Sequence, residues 1–187
     1  MKLYLDGCSL TYGQGLDREH SLGRLFADQG EYEVLDYSRP AKSNMVIALD
    51  TYQHRFDADV FVLGFTFSAR FGIKYRDQNL NFFSGFRADS FDLEPMALDK
   101  AHLEIQKYFF AVFDRDYYDQ LSDMLIDATV RVLPTGKKVL AFSWETRKTD
   151  TNIVYPFIPP NERLPDGHLD QTGTRHLYDY LQQMLDG

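Results

Sequence analysis

Residues 59–64, Asp-Val-Phe-Val-Leu-Gly, carry no polar side chain between their ends. A strand apolar on both faces has to be covered on both faces, which is the condition of a central strand in a parallel sheet. The rest of the chain must therefore supply neighbouring strands and two layers of cover. It does so by alternation. Residues 3–5 (Leu-Tyr-Leu), 32–36 (Tyr-Glu-Val-Leu-Asp) and 138–142 (Lys-Val-Leu-Ala-Phe) read as further short strands, with a weaker one near Val154.

Between these runs lie helical segments. Residues 19–29 form the first, and 45–52 the second, with Met45, Ala48, Leu49 and Tyr52 apolar. The third is a long stretch, 99–133, without Pro or Gly, where Phe110, Phe113, Tyr117, Leu121, Met124, Ala128 and Val132 fall at three- and four-residue spacing. That spacing predicts one buried stripe. A last helix opens at Thr172 or Gly173, with Leu177, Tyr180, Leu181, Met184 and Leu185 on its buried side. Strands alternating with helices predict an α/β domain with a mostly parallel sheet of about five strands and helices on both faces. At 187 residues the chain reads as a single domain, 1–187, large enough to fold without disulfides or metal.

The alternation breaks after the third strand. Residues 65–97 carry Phe65, Phe67, Phe71, Tyr75, Phe82, Phe83, Phe86 and Phe91 interleaved with Arg70, Arg76 and Arg87, and show no helical stripe. Residues 71–75 and 80–83 are expected to form a small hairpin. An insertion of this length is a satellite core on the plainer reading, or a substrate lid on the sharper one.

Charge narrows the partners. A net charge of −8, with no basic cluster to offset it, argues against nucleic acid or an anionic membrane. The apolar runs are too short to span a membrane, and Asp6 follows Lys2 too closely for a secretory leader, so a cytoplasmic protein is expected. Cys8, the only cysteine, excludes an internal disulfide and a multi-cysteine zinc site. A metal held by Asp166, His168 and Asp170 ranks low, because three ligands in one short loop rarely close a geometry. Gly7, Gly13 and Gly15 match neither a phosphate loop nor a dinucleotide fingerprint. No cofactor is expected.

Chemistry is expected where the first strand ends, since open α/β sheets place ligands at the carboxyl ends of their strands. There the turn Asp6-Gly7-Cys8-Ser9-Leu10-Thr11 presents a small hydroxyl bracketed by glycine. A serine needs a base, usually a histidine oriented by a carboxylate. His20, His54, His102 and His176 lie on or at the ends of helices, whereas His168 sits in a loop two residues after Asp166. Cys8 beside Ser9 reads as a buried small hydrophobe rather than the nucleophile.

Gly7-Cys8-Ser9-Leu10-Thr11 near the start, with Asp166-Gly167-His168 before the last helix, resembles the GDSL/SGNH hydrolase family. Cys8 stands where the family's first block has Asp. Arg39-Pro40-Ala41-Lys42-Ser43-Asn44 is similar to the second block, with Ala41 in place of glycine. Val62-Leu63-Gly64-Phe65-Thr66 is similar to the third, with Thr66 in place of asparagine. The resemblance implies a three-layer α/β/α sandwich, flavodoxin-like, and hydrolysis of a small O-acyl ester by a serine esterase. In that scheme Ser9 attacks, His168 accepts its proton and Asp166 holds the imidazole. The oxyanion donors are the backbone N–H groups of Ser9 and Ala41 and the Thr66 hydroxyl, with Asn44 as a further amide. Arg70 is a substrate contact, and Arg39 and Lys42 either charge the pocket rim or are solvated. The partner implied is a small acyl ester, with an acylated carbohydrate as one form. The other readings are a catalytically weak carbohydrate- or acyl-binding module on the same fold, and an O-acyltransferase using the same acyl-enzyme.

Overall fold

The computed structural model describes residues 1–68, 70–75, 78–83 and 114–187, with the backbone alone for 71–75 and 78–83. In chain order its elements are β1 (Lys2–Gly7), α1 (Ser9–Tyr12), α2 (Leu22–Asp28), β2 (Glu33–Asp36), α3 (Asn44–Gln53), β3 (Val60–Phe65), β4 (Arg70–Tyr75), β5 (Gln78–Phe83), α4 (Arg115–Arg131), β6 (Lys138–Ser143), β7 (Ile153–Val154) and α5 (Gln171–Asp186). Five strands form one parallel sheet in the order β2-β1-β3-β6-β7. The chain therefore builds outward from β1 in both directions, and the reversal falls between β1 and β3, whose carboxyl ends are where sheets of this kind place their ligands.

Strand alternation sorts the core into two layers. Leu3 and Leu5 of β1, Val60 and Val62 of β3, and Phe142 of β6 face α2 and α5, where they meet Leu22, Phe26, Leu177 and Leu181. Tyr4, Phe61, Leu63 and Phe65 point the other way, toward Ile47 of α3 and Ile126 of α4. All six residues of β3 are buried, as its composition requires. Full burial of such a side chain contributes about 1.5–3 kcal/mol, so the two-sided sheet is the main source of stability. The three-layer α/β/α sandwich and its flavodoxin-like strand order are thus present.

Two glycines bring the layers together at the site. Gly7 and Gly64 are register partners across β1 and β3. A Cβ on either would lie 2.2 or 2.4 Å from Oγ1 of Thr11, so only glycine lets the α1 turn seat on the strand ends. Gly173 plays a similar part at the start of α5, where a Cβ would lie 2.3 Å from the carbonyl oxygen of Glu162.

The helices differ from expectation in register. Of the helix expected over 99–133, residues 99–113 lie outside the described residues, and α4 starts at Arg115: Asp114 is extended (φ −104°, ψ 113°) and caps it by accepting from the Tyr117 N–H. A short carboxylate in this place satisfies an open helical N–H, so it starts a helix rather than continuing one. The buried stripe of α4 is Ser122, Ile126 and Thr129, followed by Leu133, while Tyr117 and Met124 of the expected stripe are exposed. Small hydroxyl residues are tolerated in this buried stripe because each is bonded: Ser122 accepts from Asn44 of α3, and Thr129 donates to the Leu125 carbonyl of its own helix. On α5, Tyr178 is buried and Met184 is exposed, a shift of the same kind. The expected hairpin is β4 with β5, antiparallel from Arg70↔Phe83 to Tyr75↔Gln78. The remainder of the aromatic stretch, with Phe86, Arg87 and Phe91, and also His102, Phe110 and Phe113, lies outside the described residues. Among the described residues no helix is long and apolar enough to cross a membrane.

Candidate active site

Every segment singled out for chemistry leaves the sheet at the carboxyl edge, because the strands are parallel and end together. Ser9 is the first residue of α1, two positions beyond Gly7. Thr66 stands two positions beyond Gly64, the partner of Gly7. The loop with Ala41 follows β2, and the loop with Asp166 and His168 follows β7.

Ser9 is 2 % exposed, and its Oγ has no hydrogen-bond partner. A buried hydroxyl left open costs about 1–3 kcal/mol, so its position is set by the turn and not by any bond of its own. The backbone of that turn is held by Tyr12 N–H to the Cys8 carbonyl and Gln14 N–H to the Ser9 carbonyl, with Gly13 in the left-handed region (φ 76°). Cys8 is fully buried in the core against α2 and α5.

His168 is 9 % exposed. Its Nδ1 lies 2.9 Å from Oδ2 of Asp166, at an angle too bent for an aligned hydrogen bond, while its backbone N–H donates to Oδ1 of the same carboxylate. Gly167, between them, has φ 87°, which folds the two side chains onto one another. Burial acts against the Asp166 charge, but the contacts with His168 outweigh it and hold the carboxyl below its ordinary value. Asp170 is spent on capping α5 through the Gly173 N–H. This loop packs beside the Ser9 segment: a Cβ on Gly15 would lie 2.6 Å from Leu164, and the Gln171 amide is 3.3 Å from Nδ1 of His20. Ser9 Oγ is not hydrogen-bonded to His168, and such bonds often tighten only around substrate.

The second and third blocks meet through Asn44. Its Oδ1 accepts the Thr66 N–H at 2.8 Å, and its Nδ2 donates to the Thr66 carbonyl at 2.9 Å and to Ser122 Oγ at 2.8 Å. Both amide protons are used within the protein, so Asn44 fixes the backbone of Thr66. That leaves Oγ1 of Thr66 buried and without a partner. Ala41 has φ 65°, the one positive φ at a non-glycine residue among those described. Arg70 places its guanidinium 5.7 Å from the centre of the Phe67 ring.

Sequence reasoning missed two buried charge clusters. Lys42 is 2 % exposed, neither at a rim nor solvated. Its ammonium pairs with Asp6, lies 2.8 Å from Oδ2 of Asp50 and donates to the Tyr37 carbonyl at 3.1 Å. Arg39 is on the surface and pairs with Asp50. Burial pushes the Asp6 carboxyl up to about 7 against the pull of the Lys42 charge. The signal was Asp6 itself, a charge inside an otherwise apolar strand. Arg147, also buried, donates to the Thr66 carbonyl at 3.1 Å and pairs with Glu145, whose other oxygen takes Arg115 of α4. Nothing in the run 143–147 announced that cluster beyond its charges.

No protein-family model matches the sequence, and no curated protein matches it either. Solved structures do match the fold. The psychrotrophic esterase EstA from Pseudoalteromonas sp., in a structure inhibited by monoethylphosphonate, superposes with a TM-score of 0.56 at 10 % identity, over 100 % of this chain and 99 % of that one. TesA gives a TM-score of 0.56 at 12 % identity, over 99 % and 98 %. At these identities the likeness is one of fold.

Proposed function

We propose that the protein hydrolyses a small O-acyl ester, acetyl or short-chain, through an acyl-enzyme on Ser9. The observation that carries this is the pairing of Asp166 with Nδ1 of His168 in the loop beside the Ser9 turn, whose buried hydroxyl has no other bond. The fold shared with EstA, an esterase, supports the reading.

In the first step Ser9 Oγ bonds to the carbonyl carbon as its proton passes to Nε2 of His168. Asp166 keeps the imidazole in the tautomer with Nδ1–H and stabilises the cation that forms. Collapse of the tetrahedral intermediate breaks the bond to the alcohol oxygen, which takes the proton from His168. Water then repeats the sequence on the acyl-enzyme and releases the acid. The oxyanion is met by the N–H groups of Ser9 and Ala41 and by the Thr66 hydroxyl. No acceptor among the described residues claims either N–H or supplies a partner to that hydroxyl.

Hydrolysis of p-nitrophenyl acetate and butyrate tests this. Ser9→Ala and His168→Ala should each lower kcat by roughly 10⁴-fold or more, while Cys8→Ala keeps turnover within a few-fold. Loss of turnover in folded Cys8→Ala, with Ser9→Ala still active, would move the nucleophile to the thiol. A folded wild type inert to both esters would favour the binding-module reading.

A further inference from the structure

Building on the esterase reading, we propose that Lys42 is the positioning residue of the oxyanion site, tying the left-handed turn at Ala41 to the end of β1, from which the Ser9 turn departs. Ala41 has to be held. An L-residue in the left-handed region costs roughly 1–2 kcal/mol, and such a conformation persists only where its surroundings over-determine it. Three bonds run from this loop to β1. The Tyr37 N–H donates to the Leu5 carbonyl at 2.8 Å, and the Arg39 N–H donates to the Gly7 carbonyl at 3.1 Å. The third is the Lys42 ammonium on Asp6, whose same oxygen accepts the Gly7 N–H at 2.7 Å.

Lys42 thus closes the loop immediately after Ala41, and does so against the residue that begins the Ser9 turn. It reaches three ways at once: to β1 through Asp6, to α3 through Asp50, and back across its own loop through the Tyr37 carbonyl. The Tyr4 hydroxyl completes the Asp6 carboxylate by donating to its second oxygen at 2.9 Å. A buried ion pair is a poor route to stability, since well-packed apolar residues often do as well or better. What it does supply is a fixed meeting point for two backbone segments. Here those segments carry two of the oxyanion donors, the N–H groups of Ser9 and Ala41.

The test compares wild type with Lys42→Met and with the double variant Asp6→Asn/Lys42→Met, which removes both charges so that no unpaired carboxylate is left inside. Turnover of p-nitrophenyl acetate is expressed per active site, counted from the burst of p-nitrophenolate. A misplaced donor should lower kcat roughly 100-fold in both variants, with KM within a few-fold of wild type. A role confined to folding would reduce the number of active sites and leave kcat per site unchanged, and that result overturns the assignment to Lys42. Wild type without Ser9-dependent turnover overturns the esterase reading instead, and the Lys42 proposal with it.

Discussion

At the scale of single residues, the proposed chemistry rests on two hydroxyls. Buried polar atoms in folded proteins are nearly always paired, yet Oγ of Ser9 and Oγ1 of Thr66 are both buried without a partner at the same sheet edge. Thr66 stands where the resembled family has an asparagine side chain, and the asparagine present here, Asn44, is bonded to the Thr66 backbone. The amide that a sequence comparison would look for is occupied in holding the Thr66 backbone, and under the proposed mechanism the Thr66 hydroxyl is left to donate. Thr66→Val separates stability from activity. Because the hydroxyl has no partner, its removal should leave the urea midpoint equal to wild type or higher. Loss of an oxyanion donor should lower kcat by about 10²–10³-fold. A variant that is less stable and equally active would show the hydroxyl to be structural.

Elements were legible in type and order, less so in register. Apolar runs located β1, β3 and β6 because burial on two faces leaves little choice of side chain. The weakest of the five strands, β7, is two residues long and was still visible near Val154. Helix α4 was misjudged because apolarity alone was counted. Its inner face holds Ser122 and Thr129, which bury hydroxyls that are bonded, and Asp114 caps where a helix was expected to continue. Asp114→Ala should cost about 1 kcal/mol, the usual worth of an N-cap carboxylate, measured by urea unfolding. No loss of stability would mean that α4 begins elsewhere in solution.

Taken as a whole molecule, the strand order accounts for where the chemistry is read. The order reverses at β1, the Ser9 turn, the Ala41 loop and Thr66 leave their strands at the carboxyl edge beside that reversal, and the His168 loop packs beside the Ser9 segment. The turns that hold Ser9, Asp166 and His168 could be located from the sequence because they are short and of restricted composition; their chemical roles remain the proposal above. The buried charges could not be located that way. Lys42, Asp6 and Arg147 act through long-range pairs that no local pattern encodes. The most direct measurement is the mass of the protein after exposure to ethyl p-nitrophenyl methylphosphonate, with the modified residue located by peptide fragmentation. One adduct is expected, on Ser9: a bond from Oγ to phosphorus forms as p-nitrophenolate departs, and His168 takes the proton. The adduct should be absent in Ser9→Ala and slow to form in His168→Ala. An adduct on Cys8, or none at all on the folded protein, would contradict it.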